Sequence, residues 1–531
     1  MKRTFTPRRL IGAVIGVVVV SGLAACGGGE SEAGSGSALT VNTSFVVKSL
    51  DPGAVYEPTG NVVVHALYDT LVTFEGDDVS TPVPDLAESY EASPDATTFT
   101  FTLDQDAVFS DGSPVTSADV VFSLNRLKNL KGSAAAIVTN LSFEAPDERT
   151  VVVTSSVPDP SVPSMLTMPA TGILNSKVAK EHGGDDSADA ASTDKLTSYL
   201  NNTAAGSGPY VIESFDAASR IVLSANPKYW GEKPAFPRVV FQNMDVQNQK
   251  LTMSKKPDAS VAMDLSGSSL DGLPGELQQT SSPNTYYQLR LSQDPSVSKV
   301  TSNHDFVQAL RAAMDYDGIA AIFGEGGQPA AGDVPTAFAG ALPASEAQKQ
   351  DLTKAKELLA ASGVGDTPVK LLYPALTFGG VDLGTIATKV QADAAKAGIK
   401  IELDPAPIAS FLEQRKGGKV ALSFSPQSFD YPVATVEVSD LMPGGGAAEA
   451  AGWTEENADP ETVAAAQKAL STFDPAEQAT AIQDWQRLML QHSPFITLAY
   501  NSGVVVASPD LSDATFTAAG WTLDVADIGR K

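Results

Sequence analysis

Few residues in this chain have the type and spacing to do covalent chemistry. The single cysteine, Cys26, stands in Leu23-Ala24-Ala25-Cys26-Gly27, directly after an uncharged run from Leu10 to Leu23. The four histidines, His65, His182, His304 and His492, are far apart and make no His-Glu-x-x-His pair or other local metal spacing. There is no Gly-x-Ser-x-Gly elbow. Ser296-Val297-Ser298-Lys299 matches Ser-x-x-Lys, but the accompanying Lys-Thr-Gly is missing. Gly417-Gly418-Lys419 lacks the first glycine and the Ser/Thr of a phosphate loop, and Gly324, Gly326 and Gly327 do not make a dinucleotide fingerprint. The expectation is a protein that is not an enzyme and holds no metal or cofactor. A secreted hydrolase is the remote alternative.

Binding chemistry is better represented. Asp430 follows Val420-Ala421-Leu422-Ser423-Phe424, which reads as a buried strand. It therefore stands near a strand's carboxyl end, where α/β sheets bind ligands. Phe429 and Tyr431 flank it as candidate walls. Tyr56 and Glu57, in the loop before the first helix, are further candidates.

The elements that must position these residues mix strand and helix throughout. Leu39-Thr40-Val41 opens a strand, and Asn61 to Leu71 carries apolar residues at helical spacing. Thr98 to Leu103 alternates strictly, as a half-buried strand does. Thr116 with Asp119 fits a variant capping box before a helix whose stripe is Val120, Leu124 and Leu127. Tyr210-Val211-Ile212 and Ile221-Val222-Leu223 make a hairpin. Strand 369–373, helix 382–397 and the strand from Ile399 form a parallel βαβ unit, with Gly398 ending the helix. Residues 351–361 form another amphipathic helix. Polar, small-residue stretches at about 178–207 and at 444–448 read as loops.

The ends set the compartment. Lys2, Arg3, Arg8 and Arg9 precede the apolar run, which is shorter than the roughly 20 residues of a spanning helix. This is a signal peptide over residues 1–25. Leu23-Ala24-Ala25-Cys26 resembles the lipobox of bacterial lipoproteins, which implies cleavage before Cys26 and a diacylglyceryl thioether on it. Two acyl chains suffice for stable anchoring. Residues 26–37 are then a flexible, lipid-anchored tether with a reach of roughly 18 Å. The 531-residue chain carries a net charge of −27, and removing the basic leader makes it more negative. That excludes a nucleic-acid partner, and it excludes a body lying on anionic lipid. The length exceeds one hydrophobic core.

Several blocks in order resemble the family 5 extracellular solute-binding proteins, the dipeptide- and oligopeptide-binding group of ABC importers. They include Ser49-Leu50-Asp51-Pro52, Pro84-Asp85-Leu86-Ala87-Glu88-Ser89-Tyr90, Phe109-Ser110-Asp111-Gly112-Ser113-Pro114, Gly208-Pro209-Tyr210 and Asn226-Pro227-Lys228-Tyr229-Trp230-Gly231. The likeness runs from about 40 to 505. The chain departs from the pattern at Asp104-Gln105, at Gln427 and at Val433-Ala434, the last two close to the ligand in the family. The resemblance implies an α/β fold of the type II, cluster C-like periplasmic-binding-protein kind: two α/β lobes with a hinge, plus an extra domain. By analogy lobe I takes 38–75, 205–290 and 493–531, the extra domain 76–204, and lobe II 291–492. It also implies that Asp430 stands where peptide-binding members pair a carboxylate with the ligand's α-ammonium. The implied partners are a small solute, foremost a peptide, and an ABC permease. Contact with the membrane would be through the lipid only, and the receptor would be a monomer on the outer face of the cell membrane. Oligosaccharides, opines, metal chelates and haem are the other solute classes.

Overall fold

Ala38–Thr43 is the spine of the first sheet, pairing in parallel with Arg238–Asn243 on one side and Ser260–Leu265 on the other. A strand with neighbours on both edges and helices over both faces is buried, and Leu39, Val41, Asn42 and Thr43 are. The computed structural model describes residues 38–45, 47–378, 381–429 and 431–531; Cys26, the segments expected to be a signal peptide and a tether, and Asp430 lie outside the described residues. The first sheet runs, in order, Gln278–Thr280, Val504–Ala507, Ser260–Leu265, Ala38–Thr43, Arg238–Asn243, Arg220–Ala225 and Tyr210–Asp216. The last two form the expected hairpin.

The second sheet runs Gln328–Pro329, Phe495–Asn501, Thr285–Leu291, Leu422–Ser428, Val369–Pro374 and Ile401–Ala406. Its βαβ unit is as the sequence reads it: Val369–Pro374 and Ile401–Ala406 pair in parallel, with helix Leu383–Ala397 between them. Asp382 caps that helix through the amide of Thr385, and Gly398 ends it at φ 96°, where a Cβ would be strained. A four-stranded antiparallel sheet built from Ala87–Ala92, Thr98–Leu103, Thr150–Ser155 and Leu141–Glu144 has its own core. The mixed α/β fold with several sheets is the class expected.

One ribbon joins the two large sheets. Gln278–Thr280 pairs antiparallel with Val504–Ala507 in the first, and the same two stretches of chain pair again as Thr285–Leu291 with Phe495–Asn501 in the second. Only residues 281–284 and 502–503 lie between. This moves two of the boundaries read from the sequence. Residues 285–290 and 495–501, assigned with 205–290 and 493–531, belong to the second sheet. Ser281-Ser282-Pro283-Asn284 and Asn501-Ser502-Gly503 interrupt the apolar pattern at the crossing, a turn signal that the boundaries drawn by analogy do not use. The boundary at 75/76 falls inside the hairpin of Val72–Glu75 and Asp78–Pro84.

Three local readings also change. The first helix is Pro58–Leu67, not 61–71. Pro58 suits the first helical turn because its missing N–H needs no partner there, and Tyr68 is already extended at φ −136°. Residues 178–207 are not a loop: they hold the short helices Ser176–Glu181, Ala190–Thr193 and Thr197–Leu200, with Leu196 and Leu200 buried. Residues 446–450 also form a short helix, with Ala447 and Ala448 packed in a core that includes Trp453. Small residues that look loop-like in sequence here let helices approach closely.

A buried guanidinium ties the 178–207 region down. Arg126, on helix Ser117–Leu130, has 1% of its side chain exposed. It donates to both oxygens of Asp51 at 2.8 and 2.7 Å and to both oxygens of Asp194 at 2.8 and 2.9 Å. Burial opposes its charge, but the two carboxylates prevail and hold it protonated above its ordinary range. Thr197 adds a hydroxyl donor to Asp51 at 2.7 Å. Three stretches distant in sequence thus share one charge network. Removing one partner leaves an uncompensated buried charge. Asp51→Ala is therefore expected to cost about 3–5 kcal/mol in urea unfolding. A loss below about 1 kcal/mol, the worth of a surface pair, would contradict this reading.

Candidate ligand-binding site

Parallel strands put their carboxyl ends on the same side, and here that side meets the ribbon. Thr43 ends Ala38–Thr43, and Met263, Asp264, Leu265 and Ser266 end or follow Ser260–Leu265. With Pro58 and Thr59 from the first helical turn, Asn284, Gly503 and Val505 from the ribbon, and Phe516 and Thr522 from the C-terminal segment, they line a cavity of about 370 Å³. Its size, and its place at the carboxyl ends of parallel strands, are those of a small-molecule site.

The wall is mostly apolar, with a few fixed polar groups. Asp264 is its one charged residue. That carboxylate accepts from the amide of Ser44 at 2.6 Å and from Gln249 Nε2 at 2.7 Å, and at the longer distance of 3.4 Å from the Thr43 hydroxyl. Both cavity threonines, Thr43 and Thr59, have their hydroxyls 3.2 Å apart. A Cβ on Gly503 would stand 2.9 Å from the Phe516 ring, so glycine is what lets the ribbon pass that ring. The cavity can hold a neutral or positively charged group against a fixed carboxylate. A second negative charge would be repelled.

None of the described candidates read from sequence lines this cavity. Tyr56 and Glu57 immediately precede the lining residues Pro58 and Thr59. Tyr56 is 45% exposed. Glu57 takes the amides of Lys48 and Tyr56, which folds the loop. Phe429 is half-buried, with its ring 4.7 Å from Phe338 and 5.8 Å from Tyr286. Tyr431 packs against the core of the four-stranded sheet.

Behind Phe429 lies a polar face that the sequence reading missed. Tyr286, Gln288 and Arg290 alternate on Thr285–Leu291, opposite Gln427, Ser425 and Ser423. Gln288 accepts from Arg290 Nε at 3.0 Å and donates to the Thr497 hydroxyl at 3.2 Å, and Thr497 donates to Asp333 at 2.6 Å. Arg290 Nη2 is buried with no hydrogen-bond partner among the described residues. Tyr286 donates a short hydrogen bond to buried Glu437. Burial pushes the Glu437 carboxyl up to about 8, against the Tyr286 hydrogen bond that favours its charged form. Asp333 is likewise raised by burial, against the Thr497 bond. The every-second-residue polar pattern in both strands was the available signal. Among the described residues, no group of three or more His, Cys, Asp or Glu is arranged to hold a metal, and no helix is long and apolar enough to cross a membrane.

Comparison with known proteins adds three findings. Residues 81–446 match the family model described as bacterial extracellular solute-binding proteins, family 5 middle. The protein named "Probable D,D-dipeptide-binding periplasmic protein DdpA" of Escherichia coli (strain K12) is 32% identical over 330 residues, which cover 60% of this chain but only 61% of that relative. Among solved structures, the unliganded open form of the periplasmic murein tripeptide-binding protein MppA superposes with a TM-score of 0.78, at 18% identity, over 93% of this chain and 97% of that one. NikZ of Campylobacter jejuni, in complex with Ni(L-His), does so at 0.68, with 19% identity, over 93% of this chain and all of that one.

The Glu437 carboxyl sets a pH dependence. Folded, it keeps its proton up to about pH 8; unfolded, it releases it near its ordinary 4.5. Between these values the folded state binds more protons, so this group's contribution falls as pH rises, by at most about 1.4 kcal/mol per pH unit. Glu437→Gln keeps a polar partner for Tyr286 and removes the titration. Urea unfolding at about pH 5.5 and about pH 7.5 should show wild type losing stability relative to the variant. Parallel profiles would contradict the buried, protonated carboxyl.

Proposed function

This chain belongs to the family 5 bacterial extracellular solute-binding proteins, and on that premise we propose that it captures a peptide-like solute outside the membrane and delivers it to an ABC permease. The cavity at the ribbon crossing carries this reading: it is walled by strand ends of one sheet and by the ribbon that leads into the other. Residues 281–284 and 502–503 serve as the hinge, and solute draws the two lobes together about them. The lobes are the two large sheets with their helices, and the four-stranded sheet belongs to the extra domain.

A peptide would enter as an added strand, held through its backbone, with side chains in tolerant pockets. Its α-ammonium would meet Asp430, with Phe429, Tyr431, Tyr56 and Glu57 at the margins. Lipid on Cys26 would hold the receptor, as a monomer, at the outer membrane face. The receptor binds and releases its solute without converting it. A non-peptide solute is the second reading. The departures at Gln427 and Val433-Ala434 favour it, and so does the likeness to a protein solved with Ni(L-His).

Two outcomes test this. Asp430→Asn should weaken binding of a peptide with a free N-terminus by about 1.5–3 kcal/mol, the worth of a charge-assisted hydrogen bond. N-acetylation of that peptide should cost wild type about as much and the variant little more, measured by titration calorimetry as a double-mutant cycle. Independent, additive losses would remove Asp430 from the ammonium site. Absence of peptide binding would leave the non-peptide reading. Separately, metabolic labelling with a fatty acid should mark wild type and not Cys26→Ser; equal labelling would end the lipoprotein assignment.

A further inference from the structure

A larger cavity, of about 560 Å³, lies away from the ribbon and shares no lining residue with the first. One wall comes from the region of the four-stranded sheet: Pro82, Tyr90, Phe99, Pro160 and Pro163. The other comes from segments that pack on the second sheet's side: Pro432, Val433, Phe473, Pro475 and Ile482. Tyr431 and Phe473 reach across and pack against the core of the four-stranded sheet, so the two walls are already in contact beside the cavity.

The lining is rich in proline and aromatic rings, with polar side chains among them. With Pro94, six prolines face the space, along with three aromatic rings. Proline's fixed φ makes such a wall preformed. Several of the polar side chains there are already engaged. Asp474, the one charged lining residue, accepts from the amides of Ala476 and Glu477 as the cap of helix Pro475–His492. The hydroxyls of Ser93 and Ser161 donate to Asp95 and Asp159. The Gln478 amide donates to the carbonyls of Ala469 and Thr472. Asp474 is solvent-exposed, and the rest of the lining has no charged side chain to pair with a ligand's charge, so a charged group seated deeper there would be desolvated with little compensation. An uncharged aromatic or branched aliphatic molecule would bury its surface against the prolines and rings without carrying a charge out of water. The volume falls within the range of small-molecule sites, and such sites favour domain interfaces.

The cavity also adjoins the solute-site candidates by sequence. Pro432 to Thr435 line it and run directly from Phe429 and Tyr431 into helix Ala434–Leu441, which carries Glu437. We propose that this cavity is a second binding site, for a separate uncharged apolar small molecule, and that its occupation braces the four-stranded sheet against the second sheet's side. The inference stands on the cavity itself and does not rest on the solute reading.

N-phenyl-1-naphthylamine, an uncharged apolar dye whose fluorescence rises on burial, is a direct probe. Titrated into the wild-type protein it should bind saturably at one site. Ser164→Phe and Ala479→Phe fill the cavity from opposite walls. Each should weaken dye binding at least tenfold while circular dichroism shows a folded protein with a cooperative melt. The dye should also raise the melting temperature of wild type and not of the filled variants. Fluorescence that rises without saturating would overturn the proposal. So would a folded filled variant that binds the dye as wild type does. If one variant does not fold, the other decides, and if neither folds, absence of a dye-induced rise in wild-type melting temperature overturns it.

Discussion

Two large sheets held by one antiparallel ribbon is the constraint on which the rest of this structure depends. Strands Gln278–Thr280 and Val504–Ala507 pair in the first sheet, and their continuations pair in the second. The amide of Asn284 donates to the carbonyl of Asn501 at 3.3 Å at the crossing. Any movement of one sheet against the other must be absorbed by a few backbone angles at 281–284 and 502–503. Because both strands cross together, the motion is a bend of the ribbon and not a slide. The cavity lined by Asn284 and Gly503 sits at that bend, so its shape and the relation of the sheets are one variable.

A hinge works only if the parts it joins are rigid. On one side Arg126 fixes the loop around Asp51 and the helices near Asp194 to helix Ser117–Leu130 through four hydrogen bonds. On the other, Gln288, Arg290, Thr497 and Asp333 make a buried chain that is specific in direction. Buried polar networks of this kind carry high stakes, since each unmet group is costly. The orphan Nη2 of Arg290 and the protonated Glu437 mark where this network is least settled. That place lies directly behind Phe429.

Much of the fold was legible in the sequence, because period and capping are local properties. The βαβ unit, the hairpin, the Thr116–Asp119 capping box and the Gly398 stop all stand as read. The family was legible too, from short blocks in order. Asp51, in one of those blocks, proves to be the Arg126 partner, a structural role that no spacing announces. What could not be read was long-range. Ser281-Ser282-Pro283-Asn284 signals a break in the strand, but not that the chain passes there into another sheet. The short helices of 176–200 are polar along much of their length, and the burial of Ala190, Leu196 and Leu200 depends on what packs over them. The cavity wall draws on Thr59, Asp264, Asn284 and Phe516, which come together only through topology.

The central claim is that the ribbon is a hinge whose two sides approach when solute fills the crossing. Spin labels on Ser254→Cys and Lys356→Cys, both exposed and on the first-sheet and second-sheet sides respectively, can measure this by pulsed electron paramagnetic resonance. Label-to-label distances would be taken for the protein stripped of solute and for the protein saturated with the solute that copurifies with it. The hinge predicts a distribution that moves as a whole to a shorter distance with solute. An unchanged distribution, with binding verified on the same labelled sample, would contradict it.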